Sequence, residues 1–224
     1  SRVAQRTQEL AQANQGISEA LHQASQLYNH APCGYHSIDA QGLFVRVNQT
    51  ELNWLGHERE ALVGQRGFSE FVRPDQVSTA NELLQQLIRL GSTAPTEICL
   101  LRRDGSELWV LLSGTVVTDK QGRFLHTNNT VVDITARHAA EVALAAQRNF
   151  LQTITNSVPV QLAYYDRQLV CRFANAAYAR WSNGPSAGLL GRHLSEIAHP
   201  DNYAEGLPLV ESVLQGQSHR FEGE

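Results

Sequence analysis

Apolar or small residues recur at Val3, Thr7, Leu10, Asn14, Ile17, Leu21, Ala24 and Tyr28, in a stretch that is otherwise polar and rich in Gln and Ala. The alternating four-three spacing is that of a coiled-coil seam and predicts one long helix over residues 1–30. The stripe is narrow and holds few large apolar residues, which favours a seam between chains over a helix lying on its own domain. Asn14 falls on that seam, where a buried polar residue costs stability but fixes register and strand number. The same spacing returns at Ala136, Ala140, Ala143, Gln147, Phe150 and Ile154, within an alanine-rich stretch of high helix propensity. Residues 136–156 therefore read as a helical linker between two non-helical blocks.

The two blocks are copies of each other. Pro32 to Gly64 superposes on Pro159 to Gly191 at a constant offset of 127, with Pro32/Pro159, Asp39/Asp166, Asn48/Asn175, Trp54/Trp181 and Gly64/Gly191 identical. One deletion later, Ser69-Glu70 and Pro74-Asp75 match Ser195-Glu196 and Pro200-Asp201. A repeat this long means two domains of one type, over residues 31–135 and 157–224. Within the first copy, Gly34–Asp39 and Leu43–Val47 form a hairpin about the turn Ala40-Gln41-Gly42. Asn48 caps a short helix, as Asn175 does in the second copy, and a longer helix from Asp75 to Leu90 stops at Gly91. Strands follow at Thr96–Arg102, Glu107–Thr118 and Arg123–Asp133, separated by the turns Arg103-Asp104-Gly105 and Asp119-Lys120-Gln121-Gly122. The predicted class is α+β, a five-stranded antiparallel sheet with short helices on one face. The second copy reaches only a helix at Asn202–Gln215 and the beginning of a third strand. Two of its five strands are thus missing, and an unpaired sheet edge is expected.

Composition narrows the function. Of the 224 residues 42% are hydrophobic, enough for ordinary cores. A net charge of −4 with scattered basic residues argues against a nucleic-acid stripe. No apolar run approaches the roughly 20 residues of a membrane-spanning helix, so no direct membrane contact is expected of this stretch. It starts at Ser1 and contains no Met, as a piece of something longer would. Cys33, Cys99 and Cys171 are an odd number without CxxC spacing, which points to a reducing, cytoplasmic setting without a disulfide or zinc framework. No phosphate loop, HExxH, GxSxG or paired-carboxylate motif appears, and no catalytic role or metal site is expected. His138, in Arg137-His138-Ala139-Ala140-Glu141, reads as a solvent-facing linker residue.

The element order resembles the Per-Arnt-Sim (PAS) sensor domains. So do the Asp-x-x-Gly hairpin before Asn48, the turn Arg102-Arg103-Asp104-Gly105 and the ending Asp133-Ile134-Thr135. The resemblance implies a sensory module of a bacterial signalling protein, homodimeric through its helices and feeding a C-terminal output such as a histidine kinase. A ligand-free dimerisation scaffold, or the sensor of a cyclic-dinucleotide enzyme, is the alternative. Asp133, Ile134 and Thr135 are the expected signal relay, because such an ending runs straight into an output helix. Arg6-Thr7-Gln8-Glu9-Leu10 looks like the signalling helix of bacterial receptors.

PAS domains often enclose a ligand between sheet and helices, and strand alternation sorts the side chains that reach it. His36 shares the inner face with Ile38, and Asn129 shares it with Thr127 and Val131. Both polar groups need a partner, either a ligand or a buried water. Val110, Leu112 and Gly114 face inward, which turns Trp109 outward as an anchor for a linker helix or a second subunit. Trp54 is kept among the cofactor contacts, although an aromatic present in both copies is more often a core filler. Neither copy has the Gly-x-Asn-Cys-Arg motif of light-sensing flavin domains, and the long helices carry no histidine for haem. Arg73-Pro74-Asp75 resembles the corresponding segment of flavin-bearing aerotaxis sensors, so FAD is the expected cofactor and redox state the expected signal, with an unidentified small ligand or an empty core as the alternatives. The FAD contacts would be His36, Asn129, Trp54, Arg73 and Asp75. In the second copy Tyr164, Arg172 and His193 are polar candidates, with no ligand assigned.

Overall fold

The structure, a computed structural model, describes residues 2–182, 186–198 and 200–220. It divides into two compact units, Ser1–Ala140 and Glu141–Glu224.

The first unit opens with helix α1 (Arg2–Asn29), followed by the hairpin β1 (Gly34–Ile38) and β2 (Phe44–Val47). The hairpin turns at Gly42, whose φ of 82° suits a residue without a Cβ, and Asp39 Oδ1 accepts the Gln41 and Leu43 N–H groups across it. Helices α2 (Gln49–Leu55), α3 (Arg59–Leu62) and α4 (Val77–Leu90) come next, with 3₁₀ turns at Phe68–Phe71 and Pro74–Gln76. Strands β3 (Thr96–Leu101), β4 (Glu107–Thr118) and β5 (Phe124–Asp133) complete an antiparallel sheet in the order β2-β1-β5-β4-β3. The α+β class and the five-stranded antiparallel sheet agree with the sequence reading.

Phe44, Leu55, Leu62, Ile98, Leu100, Leu108, Val110 and Val131 are fully buried between sheet and helices. Each such side chain contributes about 1.5–3 kcal/mol. The long helix begins at Val77, two residues later than its sequence pattern indicates. Gln76 departs from helical geometry (φ −113°, ψ 1°), and its Oε1 accepts the Cys99 N–H of β3 at 2.7 Å. Pro74 and Asp75 therefore belong to a separate turn.

Helix α5 (Thr135–Ser157) carries the division between the units, and none of its residues is buried. On α1, Leu10, Ile17 and Leu21 are all more than half exposed. The seam positions Val3 and Thr7 lie outside the described side chains.

The second unit has a two-stranded hairpin, β6 (Ala163–Tyr165) and β7 (Cys171–Ala174). Helices α6 (Ala176–Trp181), α7 (Ser186–Leu189), α8 (Leu194–Ile197) and α9 (Pro200–Leu214) follow. Its buried centre is small: Cys171, Ala179 and Leu189, with Tyr165, Tyr178 and Ile197 packed around them. Of the third strand expected here, residues 217–220 have no regular structure and 221–224 lie outside the described residues. Among the described residues no helix is long and apolar enough to cross a membrane.

Candidate functional site

His36 and Asn129 sit opposite each other in the β1–β5 register, with Gly114 of β4 next in line. Both are almost completely buried and turned to the inner face, as alternation requires. Together with Gly114 they form the sheet-side wall of a cavity closed by Phe68, Leu84 and Leu87. A Cβ on Gly114 would overlap Asn129 Oδ1 and stand 2.8 Å from Leu87 Cδ2, so the glycine makes room for the amide. Asn129 Nδ2 donates to Thr127 Oγ1 at 2.7 Å.

Glu51, which the sequence reading missed, completes the site. His36 Nδ1 lies 2.8 Å from Glu51 Oε1, and the two side chains are 1% and 0% exposed. The imidazole stacks on Phe68 (4.9 Å) and meets the edge of Phe44 (5.2 Å). Glu51 sits three residues after Asn48, where a glutamate usually reaches back to the N-cap N–H. Here that N–H already donates to the Tyr35 carbonyl, so the carboxyl turns to His36 instead. Its Oε2 is buried with no hydrogen-bond partner.

The remaining candidates do not reach the cavity. Arg73 sits at the edge of β3 and is held by Asp75 (2.7 and 3.0 Å) and Glu107 (3.0 Å), 5.1 Å from the Trp109 ring. Its hydrogen bonds hold both carboxyls below their usual range. Trp54 packs at the margin of the core beside Arg102, whose Nη1 donates to the Trp54 carbonyl at 2.7 Å. Only two of the five expected cofactor contacts thus converge.

The cavity holds about 60 Å³, whereas sites for drug-sized ligands run to roughly 300–1,000 Å³. The expected FAD does not fit, because its tricyclic ring is itself larger than that space. A wider groove of about 590 Å³ crosses the outer sheet face past Tyr35, Arg46, Thr115 and Asn128. It lies open to solvent rather than forming the enclosure such a ring needs.

The relay residues form a joint between sheet and helix. Asp133 Oδ1 accepts the Thr135 N–H at 2.8 Å, capping α5. Buried Ile134 donates its N–H to the Trp109 carbonyl (2.8 Å), and the Trp109 N–H donates to Thr135 Oγ1 (3.0 Å). Trp109 does face outward and anchors the linker helix. Its partner corrects the reading of His138 as solvent-facing: the imidazole lies half-buried on the indole, 3.7 Å between centroids and 15° from parallel. Trp109 Nε1 donates to Glu107, which also accepts from Arg73, so one cluster joins the turn before α4, strand β4 and α5.

A second joint holds the end of α1. Asn48 Nδ2 donates to the Tyr28 and Cys33 carbonyls, both at 2.9 Å, while its Oδ1 accepts the Tyr35 and Glu51 N–H groups. Asn175 repeats this at the end of α5. Its Nδ2 donates to Thr155 (2.8 Å) and Val160 (2.7 Å), and its Oδ1 accepts from Leu162 and Tyr178. The polar candidates of the second unit do not converge. Tyr164 is 61% exposed, Arg172 pairs with Asp166, and His193 caps α8.

The PAS fold family matches residues 28–139 and 155–224, more than half of the chain. Among solved structures, the PAS domain of an HTR-like protein from Haloarcula marismortui is 21% identical. The match covers 55% of this chain and 99% of that one, with a TM-score of 0.48. A PAS domain from Colwellia psychrerythraea is 18% identical over 52% of this chain and 98% of its own (TM-score 0.47). A domain of a sensory box sensor histidine kinase/response regulator from Geobacter sulfurreducens is 22% identical over 52% and 94% (TM-score 0.43). No curated protein matches the chain.

Proposed function

This chain belongs to the PAS fold family, and from that premise we propose that it is a sensory module whose first unit takes up a small ligand and relays its occupancy through α5. The observation that carries the reading is one continuous strand. β5 places Asn129 on the cavity wall, ends at Asp133 four residues later and passes directly into the capped start of α5. A ligand that moves Asn129 pulls on the strand that anchors the helix, and a joint with two packing states can pass such a shift on.

In this reading residues 31–135 and 157–224 are two PAS domains, and α1 and α5 are the helices that bring signals in and out. The exposed Leu10, Ile17 and Leu21 support a homodimer along α1, and replacing Leu10 and Ile17 by Lys should give monomers in light scattering. The output would be a histidine kinase, with a cyclic-dinucleotide enzyme as the alternative. Redox sensing through FAD is set aside because the cavity is too small for it.

Hydrogen exchange tests the relay. Cavity occupancy should change the exchange of residues 135–142, and Asp133→Ala should abolish that change while leaving the circular dichroism intact. Exchange that responds equally in Asp133→Ala would reduce the joint to a structural cap.

A further inference from the structure

We infer that the cavity of the first unit recognises an uncharged ligand of two to four carbons bearing one hydroxyl or carbonyl group. This rests on the sensory reading above and specifies its ligand.

Size sets the upper limit. About 60 Å³ is several times smaller than the roughly 300–1,000 Å³ of sites for drug-sized ligands, so only a handful of heavy atoms can enter. The helix-side wall is mainly apolar, with Ala80, Leu83, Leu84 and Leu87 beside the single polar Asn81, and suits a short hydrocarbon tail. The sheet-side wall carries the two polar side chains on which the recognition rests. His36 is 98% buried, since 2% of it is exposed, and its Nδ1 is engaged by Glu51. Its Nε2 therefore stands without a protein partner on a ring that lines the cavity. The Asn129 amide is 5% exposed and spends its nitrogen on Thr127, which leaves Oδ1 over Gly114 without a donor. Polar groups left this way need a ligand or a water to fill their remaining hydrogen bonds. A hydroxyl does so with one atom, donating to Asn129 Oδ1 and meeting His36 Nε2 with its oxygen. A carbonyl oxygen serves when Nε2 carries a proton.

Charge sets the class. Among the described residues lining the cavity there is no Lys or Arg. Directly behind His36 stands Glu51, with one carboxyl oxygen already lacking a partner. An anionic ligand would add a second carboxylate to a site that has only one imidazole to share, and burial of a charge without a full partner is costly.

The test titrates the full chain with 1-propanol and, separately, with propionate at pH 7.5, following backbone and methyl NMR signals. 1-Propanol should shift Gly114, Asn129, Leu84 and Leu87 saturably, with propionate at least tenfold weaker. Ala80→Leu, or Ala80→Val if the leucine variant does not fold, fills the helix-side wall and should weaken 1-propanol binding at least tenfold. Propionate binding as well as 1-propanol overturns the uncharged class and leaves the sensory cavity standing. Unchanged 1-propanol shifts in the folded Ala80 variant place the alcohol elsewhere and overturn the site. If neither probe nor dissolved xenon gives saturable shifts at these residues, the cavity is closed to ligands, and the sensory reading of it fails as well.

Discussion

Replacing Asn48 by Ala should destabilise the first unit far more than a helix cap alone would. Asn48 is fully buried and serves four backbone groups at once: the carbonyls of Tyr28 and Cys33 and the N–H groups of Tyr35 and Glu51. Loss of an N-cap costs about 1 kcal/mol, and each further buried backbone group left unpaired costs about 1 kcal/mol or more. With partial relaxation the total comes to about 3–4 kcal/mol, readable as a shift of the urea midpoint at unchanged slope. Asn48→Asp separates the two halves of the joint. It keeps acceptors for Tyr35 and Glu51 but removes the donors that hold Tyr28 and Cys33, so it should recover little of the loss. Hydrogen exchange gives the sharper readout. Asn48→Ala should release the last turn of α1 at residues 26–29 and leave residues 152–157 protected, while Asn175→Ala should do the reverse. A loss below 1 kcal/mol, or an aspartate variant as stable as wild type, would refute the reasoning that the amide nitrogen ties helix to sheet.

Other expectations follow from single contacts. Leu169 adopts φ 58° in the β6–β7 turn, where the first copy has Gly42. A left-handed leucine is strained by about 1–2 kcal/mol, so Leu169→Gly should stabilise the second unit by about 0.5–1 kcal/mol after the glycine's greater unfolded freedom is counted, as a rise in its unfolding midpoint. Trp109→Ala removes the surface on which His138 stacks, and His138→Ala removes the other half. Both should speed hydrogen exchange over residues 136–140 about equally, with the double variant little worse than either single one. Asp75 and Glu107 are held below their usual range, first of all by hydrogen bonds from Arg73. Their contribution is present above the ordinary carboxylate pKa of about 4 and is lost as pH falls through the depressed values. The gap in thermal midpoint between wild type and Arg73→Ala should therefore narrow steadily between about pH 4 and pH 2; a gap independent of pH would show that Arg73 acts through packing on Trp109.

Much of the first unit was legible because its strands alternate cleanly. Ile38 and Val131 had to face the core, which placed His36 and Asn129 beside them, and Val110 placed Trp109 outside. Glu51 was hidden by a local rule. Three residues after an N-cap asparagine, a glutamate looks like a capping partner, and only the pairing of Asn48 N–H with Tyr35 shows that this role is taken. Arg73 and Asp75 were grouped with the cavity by likeness of sequence and Trp54 as an aromatic shared by both copies, but the distance from such positions to the sheet centre depends on the tertiary path. The cavity's volume was beyond any pattern in the chain, since it depends on how closely Leu84 and Leu87 approach Gly114. His138 escaped because stacking on Trp109 depends on the angle at which α5 leaves the sheet.

The two copies show which part of the device is general. Asn48 and Asn175 make the same four kinds of bond, and Asn29 and Asn156, also 127 apart, each accept the first N–H of the following helix, from Gln49 and Ala176. The turn aspartates Asp39 and Asp166 repeat as well. The buried acid–base pair does not repeat. The same offset puts Ala163 at the place of His36 and Tyr178 at the place of Glu51. Tyr178 hydroxyl instead meets Tyr165 at 2.9 Å, and burial raises the Tyr165 pKa well above that of a free phenol. The two phenol hydroxyls share one hydrogen bond and put no imidazole nitrogen or carboxyl oxygen into the interior. Joining a helix end to a hairpin is thus a property of both copies, while among the described residues an interior with unmet hydrogen bonds is found in the first. Under the sensory role proposed above, a relay from helix to helix uses the joint twice, but it needs only one place where a ligand can change the answer.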